Sequence, residues 1–527
     1  MRTVQREGEK LPSLKRNVIG NWGVLCINVL IGFFLTPAIV RHLDKKSFGM
    51  WMLASSVVGY FGLLKFGIGT AVCRHVPLYR GQRDQERVSV VVSTAMAIYA
   101  GLGFLVFIAS WFLAESISEF FGGGQQFAML LRVVGLAAAI QLPSEILDSA
   151  IRGYEQFVYA NVVEITCAMA RAATLAWCVI AGYGLISMGW TLVMVAVVTL
   201  GAEWVVFRKC CGDIKISFKS VRGSEFKIMF YFALTIVVCK LAEVLTYESP
   251  KQILGKVVSL EAVGLLGVAA MLLSYYRRAI YSMTRVFMPR FSYLAGSNAR
   301  GEIKALFIKG SRYTAIIAAG AALPLLTVGP SFLELWLNKG FGQAGTALVI
   351  LAVGSLMLVT YRMSIDLMYG LGKQFYVSMI DVVEGVSVFL CSVILCYKYG
   401  LAGLALGVAA PMIVIRSLAQ IYVCRLIEIG FFKYYLTCFA KPMGIGAAVV
   451  CFYYLGGMVR FVDSWGALCI ATAVIVVSYC VGVYFVVLGS YERKEIVAGL
   501  RVAGYAFKKC DRPISNIEPQ LAMKNKR

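Results

Sequence analysis

Along most of this chain, apolar residues continue for twenty or more positions before a short polar break interrupts them. Fourteen such runs can be drawn, from 17–40 and 48–72 at the start to 433–458 and 464–488 at the end. A bilayer core of about 30 Å takes about 20 helical residues to cross, so each run is long enough. Inside lipid the backbone must satisfy its own polar groups, which leaves helices or a closed barrel, and runs without strict alternation mean helices. The pattern predicts an all-α polytopic membrane protein with about 14 transmembrane helices. Composition agrees, with 59% hydrophobic and 15% charged residues. No polar segment is long enough to fold alone.

The first run follows a basic stretch, 1–16, and is too long, without a small-residue cleavage site, to be a signal peptide. The fifteen cysteines are scattered, mostly within apolar runs, and form neither a CxxC nor a zinc spacing. Two histidines, His42 and His75, leave little room for a haem, a metal site or a histidine-based triad. The net charge of +23 reads first as topology. With alternate loops assigned to alternate sides, the side of the N-terminus holds most of the 51 Lys and Arg residues. That predicts both termini in the cytoplasm. The loop 41–47, with Arg41, Lys45 and Lys46, dissents. Charge spread over loops speaks against a nucleic-acid surface.

The chain also repeats itself. Phe48-Gly49 followed by Tyr60 is echoed by Val263-Gly264 followed by Tyr275. Tyr183-Gly184-Leu185 recurs as Tyr399-Gly400-Leu401, Gln156-Phe157 as Gln374-Phe375, and Asn161-Val-Val-Glu164 as Asp381-Val-Val-Glu384. Each word alone is weak; their shared order and near-constant offset carry the argument. Six helices per repeat, an even number, give two parallel six-helix repeats, the arrangement of transporters that handle substrate between halves. The expected division is a cytoplasmic segment 1–16, lobes at 17–207 and 228–426 joined by a linker 208–227, two additional helices in 427–490, and a basic tail 491–527. The tail begins with a possible amphipathic stretch for the inner-leaflet surface. Gly122-Gly123-Gly124 lacks the context of a phosphate loop and reads as a turn.

The run FGMWMLASSVVGYFGLLKFGIGTAVCRHV (48–76), the stretch FMPRFSYLAG (287–296) and the six-plus-six-plus-two layout resemble the polysaccharide flippases of the multidrug/oligosaccharidyl-lipid/polysaccharide exporter superfamily. The likeness extends over nearly the whole chain, through glycines and aromatics rather than a catalytic signature. It implies movement of an undecaprenyl-pyrophosphate-linked oligosaccharide from the cytoplasmic to the periplasmic leaflet of a bacterial inner membrane by alternating access. Partners implied are membrane lipids and other polysaccharide-assembly proteins, with no cofactor beyond coupling to H+ or Na+. Lys65 stands where many relatives carry an acidic residue.

Charges inside spans are costly and usually face a cavity or a partner. The eighth run holds Arg277, Arg278, Arg285 and Arg290 with no acid after Glu261. From Ala262, the 15 residues to Arg277 rise about 23 Å, three-quarters of the way to the cytoplasm. Lys65, in the repeat-equivalent second run, sits at similar depth, and Arg74 follows it. These four, Arg277, Arg278, Lys65 and Arg74, are the candidates for holding a pyrophosphate. Snorkelling to headgroups is the plain alternative. Lys240 and Glu243 (i, i+3), Arg362 and Asp366 (i, i+4), and Glu164 and Arg171 (i, i+7) are expected as intramembrane ion pairs. Asp381 and Glu384, two acids on one face without a base nearby in sequence, are coupling candidates for a proton or cation, together with Glu164. Arg132, Glu203, Arg416 and Lys441 have no evident partner.

Two rival functions stay open. A multidrug or small-solute exporter would share this architecture but should line its cavity with acids and aromatics, whereas these candidates are cationic. A membrane polysaccharide polymerase or ligase needs a sizeable catalytic loop, and the outer loops here are short. Neither a nucleophile–base arrangement nor a metal cluster is present in the sequence, so no enzyme is expected.

Overall fold

The computed structural model describes residues 14–64, 68–154, 156–217, 240–284, 287–296, 299–337, 341–457, 462–489 and 493. Within them the chain is helical. The first half runs α1 (Leu14–His42), α2 (Lys45–Leu64), α3 (Ile68–Gly81), α4 (Gln85–Phe121), α5 (Gly124–Gly153), α6 (Phe157–Ile180) and α7 (Gly184–Cys210). The second half opens with a helical stretch over 240–247. It continues with α8 (Ser249–Val257), α9 (Leu260–Thr284), α10 (Phe287–Gly296), α11 (Arg300–Leu326), α12 (Gly329–Leu337), α13 (Gly342–Thr360), α14 (Arg362–Gly370) and α15 (Gln374–Leu426). After it come α16 (Phe431–Tyr435), α17 (Lys441–Leu455) and α18 (Trp465–Gly482).

Lipid is the solvent for this bundle. Phe112, Trp177, Phe432 and Leu455 are more than two-thirds exposed, which water would penalise and hydrocarbon does not. Among the described residues, nine helical segments are long and apolar enough to cross a membrane, or ten if α11 and α12, bent by 53°, form one span. The expected fourteen differs for a physical reason. Gln374–Leu426 contains 53 residues, about 80 Å if straight, and folds back on itself at Gly400 (φ 58, ψ −135), so it contributes two runs. Only glycine adopts that conformation readily. The two arms pack closely: an added Cβ at Gly407 would lie 2.6 Å from Ser392 Cα. Other runs, such as 48–72, fall partly outside the described residues.

The repeat words occupy equivalent places. Gly184, in the first Tyr-Gly-Leu, turns between α6 and α7 with φ 79, as Gly400 does within α15. Gly122 and Gly124 are likewise turn residues, each with φ 67. Phe48-Gly49 and Val263-Gly264 meet each other where α2 crosses α9. A Cβ at Gly49 would lie 1.7 Å from the Leu260 carbonyl oxygen, and one at Gly264 would lie 2.8 Å from the Phe48 ring. Repeat-equivalent residues in mutual contact are what a local two-fold axis between the halves produces.

Nearby, the Trp336 indole donates to the Phe33 carbonyl (3.0 Å), and Phe33 stacks on Phe332 and Trp336. The Gln252 amide donates to the Ser56 hydroxyl (2.6 Å). By chain direction, this seam lies at the face opposite the N-terminus. Helices α3, α4, α5 and α7 share a core around Val91, Leu142 and Phe207, and α10, α11, α14 and α15 another around Phe291 and Phe307. The last helices lean on α11: the Tyr479 hydroxyl donates to the Ile316 carbonyl (3.0 Å) and Arg312 to the Val487 carbonyl (2.7 Å).

Candidate substrate cavity and buried charge clusters

A cavity of about 1020 Å³ lies among α2–α7, with Lys240 at its border. Its wall changes character with depth. Trp51, Val134, Leu175 and Leu192 line the part toward the closed seam. Asp148, Arg152, Glu164, Glu203 and Lys240 line the part toward the face that carries the N-terminus. With Glu145 and Arg171, the described wall holds four carboxylates against three cations. Arg277 and Arg278, expected around the substrate, are not among these lining residues.

Arg152 is the hub. Its guanidinium donates to Asp148 one turn back on α5 (2.7 Å), and across to Glu164 (3.1 Å) and Asn161 (3.2 Å) on α6. The expected Glu164–Arg171 pair is therefore replaced. Seven residues separate those two by about 10.5 Å along one helix, whereas Arg152 faces Glu164 directly from the neighbouring helix. Arg171 is exposed and has no ion pair among the described residues. The Lys240–Glu243 pair forms as expected at 2.5 Å. Glu203 accepts a hydrogen bond from Ser144.

The second half carries another cluster. Arg277 lies over the Tyr247 ring (4.6 Å) and donates to the Ser355 hydroxyl (3.4 Å), while Arg278 is exposed. Arg362 pairs with Asp366 at 2.9 Å, as expected, and lies over the Tyr281 ring (4.8 Å). Asp381 and Glu384 do not stand alone: Arg416 donates to both, at 2.8 and 3.0 Å, and covers the Tyr361 ring at 5.3 Å. Arg416 is 4% exposed and Glu384 2%. A signal for this was in the sequence. Positions 384 and 416 each lie sixteen residues from Gly400, so a hairpin there sets them side by side.

Arg132, also without an expected partner, pairs with Glu115 (2.6 Å). Lys65 and Arg285 lie outside the described residues, as do the side chain of Arg74, residues 1–13 and 218–227, and all of the tail but 493. No group of three His, Cys, Asp or Glu residues suited to a metal ion occurs among the described residues.

Residues 14–295, more than half the chain, match the family described as polysaccharide biosynthesis protein. A Shigella flexneri protein named "Putative O-antigen transporter" is 19% identical over 415 residues, 77% of this chain and 97% of that protein. Among solved structures, the inward-facing conformation of a multidrug resistance MATE family transporter of the MOP superfamily aligns with a TM-score of 0.70. It is 15% identical and covers 79% of this chain and 99% of that one. The lipid II flippase MurJ, in an inward closed conformation, aligns with a TM-score of 0.68 at 14% identity, covering 89% and 98%. At such identities the likeness is one of fold. The chain is a multi-pass membrane protein that belongs to the polysaccharide biosynthesis protein family, built on the fold of the MOP-superfamily transporters.

Proposed function

We propose that this protein flips an undecaprenyl-pyrophosphate-linked oligosaccharide from the cytoplasmic to the periplasmic leaflet, by rocking of lobes 17–207 and 228–426 about the seam at Gly49 and Gly264. The observation that carries this reading is the seam itself. Repeat-equivalent residues touch at one face while a large cavity with a charged wall lies toward the other. Family membership and the name of the Shigella relative support the choice of a lipid-linked glycan as cargo. No catalytic step is assigned.

In this reading both termini are cytoplasmic in a bacterial inner membrane. Reporter fusions within 82–84 should read cytoplasmic and those within 122–124 periplasmic; the reverse would invert the direction of transport.

The pyrophosphate is assigned to Arg277 and Arg278, with Lys65 and Arg74 as the contribution proposed from the first lobe. Arginine offers two parallel donors to phosphate oxygens, and each charge-assisted contact contributes about 1.5–3 kcal/mol. Arg277→Ala with Arg278→Ala should lower flipping at least about tenfold with the protein still in the membrane, and Arg277→Lys should transport partially. Undiminished flipping by the double variant would leave these arginines snorkelling and remove the phosphate assignment. Coupling to H+ or Na+ is assigned to Asp381, Glu384 and Glu164. Each is held by an arginine, so ion capture has to displace a guanidinium. A second reading, export of cationic solutes, is favoured by one observation: the four carboxylates against three cations in the described cavity wall.

A further inference from the structure

We infer that the sugars of the cargo enter the cavity of the first-half helices, and that this cavity selects a glycan without acidic sugars. The inference rests on the flippase reading above and adds a substrate class to it. At about 1020 Å³ the cavity is at the upper end of the ~300–1,000 Å³ of ordinary ligand clefts, room for a glycan rather than a phosphate.

Its position relative to Arg277 suits a two-part ligand. Lys240 borders the cavity, and Tyr247, beneath the Arg277 guanidinium, lies seven residues further along the same segment. Residues 240–247 are helical, so that spacing is about 10.5 Å along the axis. A pyrophosphate at Arg277 therefore leaves its first sugars within reach of the cavity mouth.

The cations of the wall are already occupied. Arg152 is held by Asp148 and Glu164, and Lys240 by Glu243. A sugar carboxylate entering here would give up water and find Arg171 as the one wall cation without an ion pair among the described residues. Against that single cation stand the four carboxylates Glu145, Asp148, Glu164 and Glu203, and like charges brought together are disfavoured. Neutral sugars meet a different wall. Gln141, Ser149 and Thr199 offer amide and hydroxyl groups, and the carboxylates accept from hydroxyls. In the second half, Arg416 is paired with Asp381 and Glu384 and lies over the Tyr361 ring.

The test uses the purified full-length chain in proteoliposomes. Each vesicle set carries an undecaprenyl-pyrophosphate tetrasaccharide that is either neutral or has one hexose replaced by its uronic acid. The neutral glycan should cross at least about tenfold faster, since one unpaired like-charge or desolvated contact is enough for that ratio. Thr199→Lys adds a cation to the wall without touching the paired charges, and should narrow the ratio to below about threefold. Equal rates for the two glycans in the wild type overturn the inference and leave the flippase reading standing. An unchanged ratio in Thr199→Lys removes this cavity as the selecting site. Movement of neither glycan by folded protein overturns the flippase reading and the inference together.

Discussion

Arg416→Met should be among the most damaging single substitutions in this protein. It leaves Glu384, 2% exposed, and the neighbouring Asp381 without the guanidinium that holds both. Removing one partner of a buried ion pair costs about 3–5 kcal/mol, because the remaining charge is neither solvated nor paired. Thermal unfolding in detergent should show a clear drop in midpoint, and less protein should reach the membrane. The triple change Arg416→Met, Asp381→Asn, Glu384→Gln removes the whole charged unit and should recover most of that loss. Transport by the triple variant then reports on coupling. If these acids capture the driving ion, an imposed gradient should no longer accelerate it. Full stability of Arg416→Met alone would mean that the acids have another counter-ion or are held neutral.

Gly49→Val should separate the halves at their seam. Its Cβ would lie 1.7 Å from the Leu260 carbonyl oxygen, a backbone atom that cannot turn aside. Overpacking of a tight contact costs about 1–3 kcal/mol, and here the strain falls on the proposed pivot. Transport should fall by more than stability does, to a few per cent or less of wild type. Gly101→Ala is the control: nothing lies within 4 Å of its added Cβ, so it should be neutral or mildly stabilising. Normal flipping by Gly49→Val would place the pivot elsewhere.

What could be read from the sequence divides by the range of the physics involved. The spans were legible because lipid imposes a long apolar run on every crossing helix. The i, i+3 and i, i+4 ion pairs, Lys240–Glu243 and Arg362–Asp366, were legible because helix geometry alone sets their distance. The Tyr-Gly-Leu words pointed to real turns, since Gly184 and Gly400 adopt backbone conformations that other residues avoid. Pairings that cross between helices were missed. Glu164 turned to Arg152 rather than Arg171, and Arg416 reached Asp381 and Glu384 only because a hairpin aligned them. The charge of the wall around the first-half cavity was not legible for the same reason. Its sign depends on which helix faces converge, and periodicity within one run carries no such information.

The most direct test of a lipid-linked glycan as cargo is deletion of the gene in its native host, followed by identification of the undecaprenyl-linked species in the inner leaflet. The account predicts accumulation of an undecaprenyl-pyrophosphate oligosaccharide facing the cytoplasm, with loss of the matching surface glycan and recovery of both by the wild-type gene. An unchanged lipid-linked pool and normal surface glycan, with cationic dyes instead retained by the deletion strain, would contradict it.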